Sequence, residues 1–154
     1  MYPLLQELIH EAESKYLQQS DLLRLMQEMS GMRPRLAVYR YLRDNEVHIF
    51  QKVADELLKQ LPQEKTRNIE NCLRHWLSIT RYSAMAMLLN NPEYLQRRLL
   101  EWLTDIVRVY EYQHISQKLQ ALLVERLKEE LPSDGFKYIE PFLNQAQAHI
   151  QNVQ

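Results

Sequence analysis

The sequence predicts a single domain built only from α-helices. Apolar residues recur every three or four positions along nearly the whole chain, which is the pattern of one face of an amphipathic helix. The length of 154 residues is typical of one domain, and an apolar share of 45% is enough for one core. No repeat, low-complexity tract or long linker divides the chain. We therefore expect about seven or eight helices packed in one unit.

The first half of the chain is divided by capping and turn residues. After a first amphipathic helix, Ser20-Asp21 is an N-cap signal for a second, short helix. That helix is predicted to stop at Gly31, and Pro34 suits the first turn of the next one. Apolar positions then continue through Asp44-Asn45 until Pro62 marks a break.

The second half contains longer helical segments. The predicted helices cover roughly 63–90, a segment ending near Tyr112, about 114–130 and Phe136–Val153. Asn90-Asn91-Pro92 separates the first two, and residues 131–135 form a turn. Pro141 should begin or bend a helix within the last segment.

The composition excludes several classes of protein. Lys plus Arg is 19 and Asp plus Glu is 20, so a net charge of −1 gives no global attraction to nucleic acid or an anionic membrane. No apolar run approaches the roughly 20 residues of a bilayer span, and no export signal is recognised, so we expect a cytoplasmic protein. With two glycines, no Walker A, dinucleotide-binding or nucleophile-elbow motif can be present, which removes most common small-domain enzymes. We expect no enzyme.

Metal and disulfide chemistry is also limited by the composition. The single cysteine, Cys72, excludes an internal disulfide and a cysteine-built zinc site. Apart from His75, the histidines are scattered without an i, i+4 pair, so we expect no metal centre. A basic cluster at Arg33, Arg35, Arg40 and Arg43 is spread over more than one helical face. We interpret it as a solvated face, a partner surface or a propionate-binding group, and do not expect nucleic acid as a partner.

Helical geometry places a chemically distinctive stripe on the helix predicted for 63–90. At about 100° per residue, Cys72, His75, Trp76 and Ile79 fall on one side, while Arg74 points away. A thiol, an imidazole and an indole on one stripe could line a slot for a flat aromatic ligand. The alternative is that Cys72 and Trp76 are core residues, because free cysteine is among the most buried residue types.

Several segments, in order and spacing, resemble the phycobiliproteins. They are His10–Leu17, the run Ser20-Asp-Leu-Leu, Gly31–Leu36, Phe50–Leu58, and Cys72-Leu-Arg-His75 followed by Arg81. The resemblance implies a globin-like core over residues 32–154, behind a two-helix N-terminal extension over residues 1–31. It also implies a tetrapyrrole cofactor, since the family's cysteine at the position of Cys72 carries a linear tetrapyrrole through a thioether.

The same resemblance assigns roles to the neighbouring residues. Arg74 would pair with a propionate of the pigment, and Trp76 and Ile79 would contact its rings. His75 departs from the family, because it replaces an aspartate that hydrogen-bonds the pyrrole N–H groups. A neutral imidazole at His75 could instead meet the pyrroles or, less favoured, ligate haem iron. The segment between Pro62 and Cys72 is also shorter than in the family.

The resemblance further implies a dimer. In the family, an acid on the first helix pairs with the arginine nine residues after the attachment cysteine on the partner subunit. Glu11 and Arg81 match these two positions, so a two-fold homodimer through the N-terminal helices could form the pair twice. Other expected partners are phycobilisome proteins or proteins of bilin biosynthesis.

These observations favour one function and leave two alternatives open. The favoured function is non-covalent binding of a porphyrin, haem or bilin by a non-enzymatic globin-like protein that takes part in bilin metabolism. The first alternative is a chromoprotein with bilin covalently attached at Cys72, for light harvesting or sensing. The second is a dimeric interaction module without a ligand.

Overall fold

The computed structural model describes residues 3–110, 113–132 and 134–152, except for the side chains of Leu100 and residues 107–110. Six helices cover most of them: α1 (Pro3–Ser14), α2 (Gln19–Gln60), α3 (Thr66–Leu88), α4 (Pro92–Tyr110), α5 (Gln113–Glu130) and α6 (Phe136–Asn152). No strand occurs within these ranges, so the all-α, globin-like fold class is confirmed. The predicted limits at Tyr112 and Val153, and Ser133 of the predicted turn, lie outside the described residues.

The predicted helix end at Gly31 is wrong, because α2 runs without a break for 42 residues. A side-chain carbon on Gly31 would lie about 3.7 Å from the guanidinium of Arg35, so the Arg35 side chain passes over this helical turn at ordinary contact distance. Pro34 lies inside the helix, where it removes one backbone N–H donor. Asn45 donates its side-chain amide to the carbonyl of Tyr41 at 2.9 Å, so this amide hydrogen-bonds back into the helix.

The N-cap of α2 also differs from the prediction. The helix begins at Gln19, and the Asp21 carboxylate accepts the backbone N–H of Gln18 at 3.0 Å. An acid in the first turn of a helix lies favourably against the positive end of the helix dipole. Ser20 and Asp21, predicted as the N-cap, therefore lie two and three residues after the actual N-cap, Gln18.

The breaks in the second half agree with the prediction. Asn90 has a left-handed backbone with φ of 47°, and the Asn91 side chain caps α4 by accepting the N–H of Tyr94 at 3.2 Å. In the turn after α5, a side chain on Gly135 would come within about 3.2 Å of Val38. This glycine therefore permits a close approach of the turn to α2. Pro141 lies within α6 and does not begin it.

The core lies where α3 packs against α2, α4, α5 and α6. Apolar side chains from all five helices form one continuous cluster of buried residues. The helix α1 packs on α2, and Leu8 is the buried residue of α1. No helix in the described ranges combines the length and hydropathy needed to cross a bilayer. The proposed division between residues 31 and 32 falls inside α2.

Candidate functional site

The predicted stripe on α3 faces the interior. Cys72 and Ile79 have no exposed surface, Trp76 is 1% exposed, and His75 is half-buried at the edge of the stripe. Arg74 is exposed, as helical geometry predicts. The structure therefore brings together the four stripe residues but leaves Arg74 outside their surroundings.

Trp76 is held by a buried hydrogen bond to α5. Its indole Nε1 donates to the Ser116 hydroxyl at 2.8 Å, and that hydroxyl contacts the amide oxygen of Gln147 on α6 at 3.4 Å. Thr80 donates to the backbone carbonyl of Trp76 at 2.8 Å. The ring is therefore fixed within the core through Ser116, a partner on another helix that the sequence alone did not identify.

The environment of the Cys72 thiol disfavours its ionisation and therefore its reactivity. Burial raises its pKa to about 12, because no neighbouring charge compensates for the loss of water around a thiolate. Since the thiolate is the nucleophile in cysteine chemistry, a raised pKa disfavours bond formation at this sulfur. The thiol therefore has the properties of a small core residue.

His75 lies beside a group of aromatic side chains on α3 and α4. Its ring centroid is 6.5 Å from that of Trp102, which in turn is 5.8 Å from the ring of Tyr82. Burial, and secondly the charge of Arg74, lowers the pKa of His75, which favours the neutral form of its imidazole. The indole N–H of Trp102 is buried and has no hydrogen-bond partner among the described residues.

The space beside the stripe is too small for a pigment in this conformation. The cavity bordered by His75, Trp76 and Ile79 measures about 10 Å³, which is room for about one water molecule. A tetrapyrrole carries four pyrrole rings and would require α3 to move away from its neighbours. The residues around Cys72 therefore do not fit such a cofactor as they are packed here.

Glu11 and Arg81 have different surroundings. Glu11 is exposed on α1 and forms no ion pair with any described residue. Arg81 is engaged within its own chain, because its Nε and Nη2 donate to the two carboxylate oxygens of Glu46 on α2 at 2.6 and 2.9 Å. Both ends of the predicted intersubunit pair lie at the surface, and the pair itself stays a prediction.

A surface of exposed apolar side chains covers α1 and the beginning of α2. We call it the N-terminal apolar surface, and its members are Ile9, Tyr16, Leu22, Leu23, Met26, Met29 and Met32. Among the described residues, the other large apolar side chains that are exposed are Val47 and Leu58. Large apolar side chains that stay exposed along one stretch of a chain indicate an interaction site more often than singly scattered ones do.

Metal chemistry finds no support in the described part of the chain. No group of three His, Cys, Asp or Glu side chains there could hold an ion. His114 pairs with Glu64 at 3.0 Å, and His149 lies 3.1 Å from the hydroxyl of Thr104. His114 and His149, two of the scattered histidines, therefore form contacts between separate segments of the chain.

Comparison with known proteins identifies the family. The sequence matches the phycobilisome protein family over residues 8–134, a stretch that includes the α3 stripe, all of the N-terminal apolar surface, and both Glu11 and Arg81. No curated protein shows a significant match to the chain. Because the match spans most of the sequence and the described residues form the expected all-α fold, the chain belongs to the phycobilisome protein family.

Proposed function

We propose that this chain is a non-enzymatic assembly protein that pairs with a second copy of itself through the N-terminal apolar surface. Proteins of the phycobilisome family are generally non-enzymatic, typically carry covalent bilins and assemble into oligomers. The observation that carries the proposal is the concentration of exposed apolar side chains between Ile9 and Met32. A phycobilisome protein or a protein of bilin biosynthesis is the other partner that this surface could take.

The chemistry of this surface suits protein association. Met26 and Met29 are each 65% exposed and lie one helical turn apart on α2, with Leu22 on the same face. Methionine side chains are flexible and polarizable, and they are common at binding surfaces. Covering these side chains removes apolar area from water, which is the main driving force for association.

The direct test is the oligomeric state of the full chain, measured by sedimentation equilibrium over a range of concentrations. We expect a dimer, and we expect the double variant Met26→Glu/Met29→Glu to weaken it by about a hundredfold or more, since central apolar contacts contribute about 2 kcal/mol or more each. The matched control is Val47→Glu/Leu58→Glu, which places the same two charges on exposed apolar positions farther along α2. Circular dichroism checks that the helices of each variant are retained.

Two results would refute the pairing. One is a monomer at all concentrations for the unmodified chain, which would leave the apolar surface without a second copy as its partner. The other is a dimer that Met26→Glu/Met29→Glu and Val47→Glu/Leu58→Glu weaken equally, since the effect would then follow charge and not position.

The second candidate function is tetrapyrrole binding at the α3 stripe, with Cys72, Arg74, His75, Trp76 and Ile79 as the contacts. One observation favours it: the buried indole N–H of Trp102, beside His75, is a donor that no described residue uses. It could serve a carbonyl or carboxylate of a ligand. Against it stand the sealed thiol and the small cavity.

Two measurements separate the covalent and non-covalent forms of this candidate. Co-expression with bilin-producing enzymes followed by zinc-dependent fluorescence on a denaturing gel detects a covalent bilin, and Cys72→Ser is its control. Titration with haemin, followed at the Soret band, detects non-covalent binding. We expect neither signal. A fluorescent band that Cys72→Ser abolishes would establish the chromoprotein, and a shifted Soret band that depends on His75 would establish pigment handling.

A further inference from the structure

A partly open apolar pocket lies between α2, α3 and α5. We call it the α2–α3–α5 pocket, and its apolar lining consists of the buried side chains Leu42, Ile49, Phe50, Ala84, Leu123 and Leu127. No residue of the α3 stripe or of the N-terminal apolar surface lines it. The pocket is therefore a separate feature from both sites described above.

The size of the pocket limits what it can hold. Its volume is about 220 Å³, which is below the roughly 300–1,000 Å³ of pockets that enclose a drug-sized ligand. Since a water molecule takes up roughly 30 Å³ in the liquid, the pocket has room for about seven groups of that size. This excludes a tetrapyrrole and leaves room for a short aliphatic chain.

Two arginines border the pocket and bring positive charge to it. The side chains of Arg43 and Arg81 are 62% and 65% exposed, so their guanidinium groups reach the solvent side. Arg43 donates through Nε to Asp44, and Arg81 donates through Nε and Nη2 to Glu46. A guanidinium carries five N–H donors, so each arginine keeps N–H groups that no described residue accepts.

An apolar lining beside guanidinium donors fits one kind of small molecule. An aliphatic chain is stabilised when it leaves water for an apolar lining. A carboxylate is planar and can accept two parallel N–H bonds from one guanidinium. A free phosphate could use the arginines but would leave the apolar lining without a partner. A molecule with an aliphatic chain and a carboxylate at one end uses both features.

We infer that the α2–α3–α5 pocket binds an aliphatic monocarboxylate of about six to eight carbons, with its chain against the apolar lining and its carboxylate on Arg43 and Arg81. Glu46 weakens this binding, because its own carboxylate occupies part of the Arg81 guanidinium. The loss is limited, since an exposed ion pair contributes little net free energy and separates easily. The inference does not depend on the proposed pairing.

The first test is isothermal titration calorimetry of the full chain with a series of straight-chain ligands. We expect the Kd to fall about tenfold from hexanoate to octanoate, because two more methylene groups leave water. From octanoate to decanoate the gain should be at most about threefold, because the added methylenes exceed the room in the pocket. Octylammonium, with the same chain and the opposite charge, should bind at least about tenfold more weakly than octanoate.

Three results of this titration would overturn the inference. One is no binding of octanoate. Another is a Kd for octylammonium equal to that for octanoate, since the arginines would then not select the ligand. The third is a gain from octanoate to decanoate as large as that from hexanoate to octanoate, since the pocket would then not limit the chain.

The second test changes the pocket itself, in two independent ways. Ala84→Leu fills the apolar lining, and Ala121→Leu makes the same change at an exposed position of α5 outside the pocket. Arg43→Gln removes one guanidinium, and Arg40→Gln does so at an exposed position of α2 outside the pocket. We expect Ala84→Leu and Arg43→Gln each to raise the octanoate Kd at least about tenfold, and the two controls to leave it unchanged.

The two changes protect the test against a variant that does not fold. Circular dichroism identifies such a variant, and the other variant then decides. A folded Ala84→Leu or Arg43→Gln protein that binds octanoate like the unmodified chain would overturn the inference.

The third test distinguishes a direct role of Arg81 from a general effect on the fold. Glu46→Gln frees the Arg81 guanidinium, so the octanoate Kd should fall about three- to tenfold while the octylammonium Kd does not fall. A general loosening of the structure would shift both ligands in the same direction. An octanoate Kd that Glu46→Gln leaves unchanged or raises would overturn the placement of the carboxylate at Arg81.

Discussion

The reactivity of Cys72 is the sharpest single measure of how the α3 stripe is packed. Cys72 is the only cysteine in the chain, so any thiol signal reports this one position. Its pKa rises from 9.0 to about 12 in the folded protein because burial disfavours the thiolate. At pH 8 this lowers the thiolate fraction from about one tenth to about one in ten thousand, a factor of about a thousand.

The expected result is therefore labelling that requires the protein to open. Because the thiol has no exposed surface, a thiol reagent at pH 8 should react with the native chain at least about a thousandfold more slowly than with the chain in denaturant. The assay is the absorbance change of a chromogenic disulfide reagent, with Cys72→Ala as the blank. Native labelling within about tenfold of the denatured rate would show that the thiol is accessible, and would reopen covalent pigment attachment.

The same pKa has a consequence for stability at alkaline pH. The folded-state pKa lies above the unfolded one, so the thiol stabilises the fold at pH below about 9, and this contribution decreases as the pH rises towards 12. A difference of three pKa units corresponds to at most about 4 kcal/mol. Denaturant unfolding between pH 8 and pH 11 should show a steeper loss of stability in the unmodified chain than in Cys72→Ala. Parallel pH curves for the two proteins would contradict the burial.

Three further predictions test the packing. Gly31→Ala should stabilise the protein by roughly 0.5–1 kcal/mol, because a methyl group there meets only ordinary contacts at 3.7 Å. Gly135→Ala should destabilise it by roughly 1–3 kcal/mol, because its methyl group would lie 3.0 Å from a backbone oxygen. Denaturant unfolding of the two variants measures both changes in the free energy of unfolding. Trp76→Phe should cost about 1–3 kcal/mol in the same assay, since the buried Ser116 hydroxyl loses its donor, and no loss would refute the hydrogen bond. Because the pKa of His75 is lowered in the folded protein, the fold becomes less stable as the pH falls below about 6.5. His75→Gln should reduce this loss of stability at acid pH, measured as the melting temperature. Equal acid sensitivity of the two proteins would contradict the burial of the His75 imidazole.

Much of the fold could be predicted from the sequence because many helix ends depend on residues that are close together in the chain. Asn90-Asn91-Pro92 ends α3 and begins α4, since a left-handed residue, a side-chain cap and a proline at the first helical position all act within a few residues. The continuity of α2 could not be predicted in this way. Gly31 and Pro34 are weak helix residues locally, and the packing of the Arg35 side chain across Gly31 is visible only in three dimensions.

The candidate site shows the same limit more clearly. Helical spacing correctly predicted that Cys72, Trp76 and Ile79 share one face and that Arg74 leaves it. Periodicity cannot tell an open slot from a filled core, because both require apolar residues at the same spacing. The filling comes from α5 and α6, through partners such as Ser116 that lie about 40 residues away along the chain.

Family membership and pigment binding are therefore separate questions for this chain. The helices that define the family fold need the α3 stripe as their common core, and in this structure its atoms already pack against one another in place of a ligand. A pigment at Cys72 would have to expose the thiol, break the bond between Trp76 and Ser116, and compensate for the apolar packing that it disrupts. Binding at the N-terminal apolar surface disrupts no core packing, because its side chains are already exposed to water. Association would remove these apolar side chains from water, which is favourable. The physical argument thus favours binding at the surface, where the exposed methionines are available to a partner.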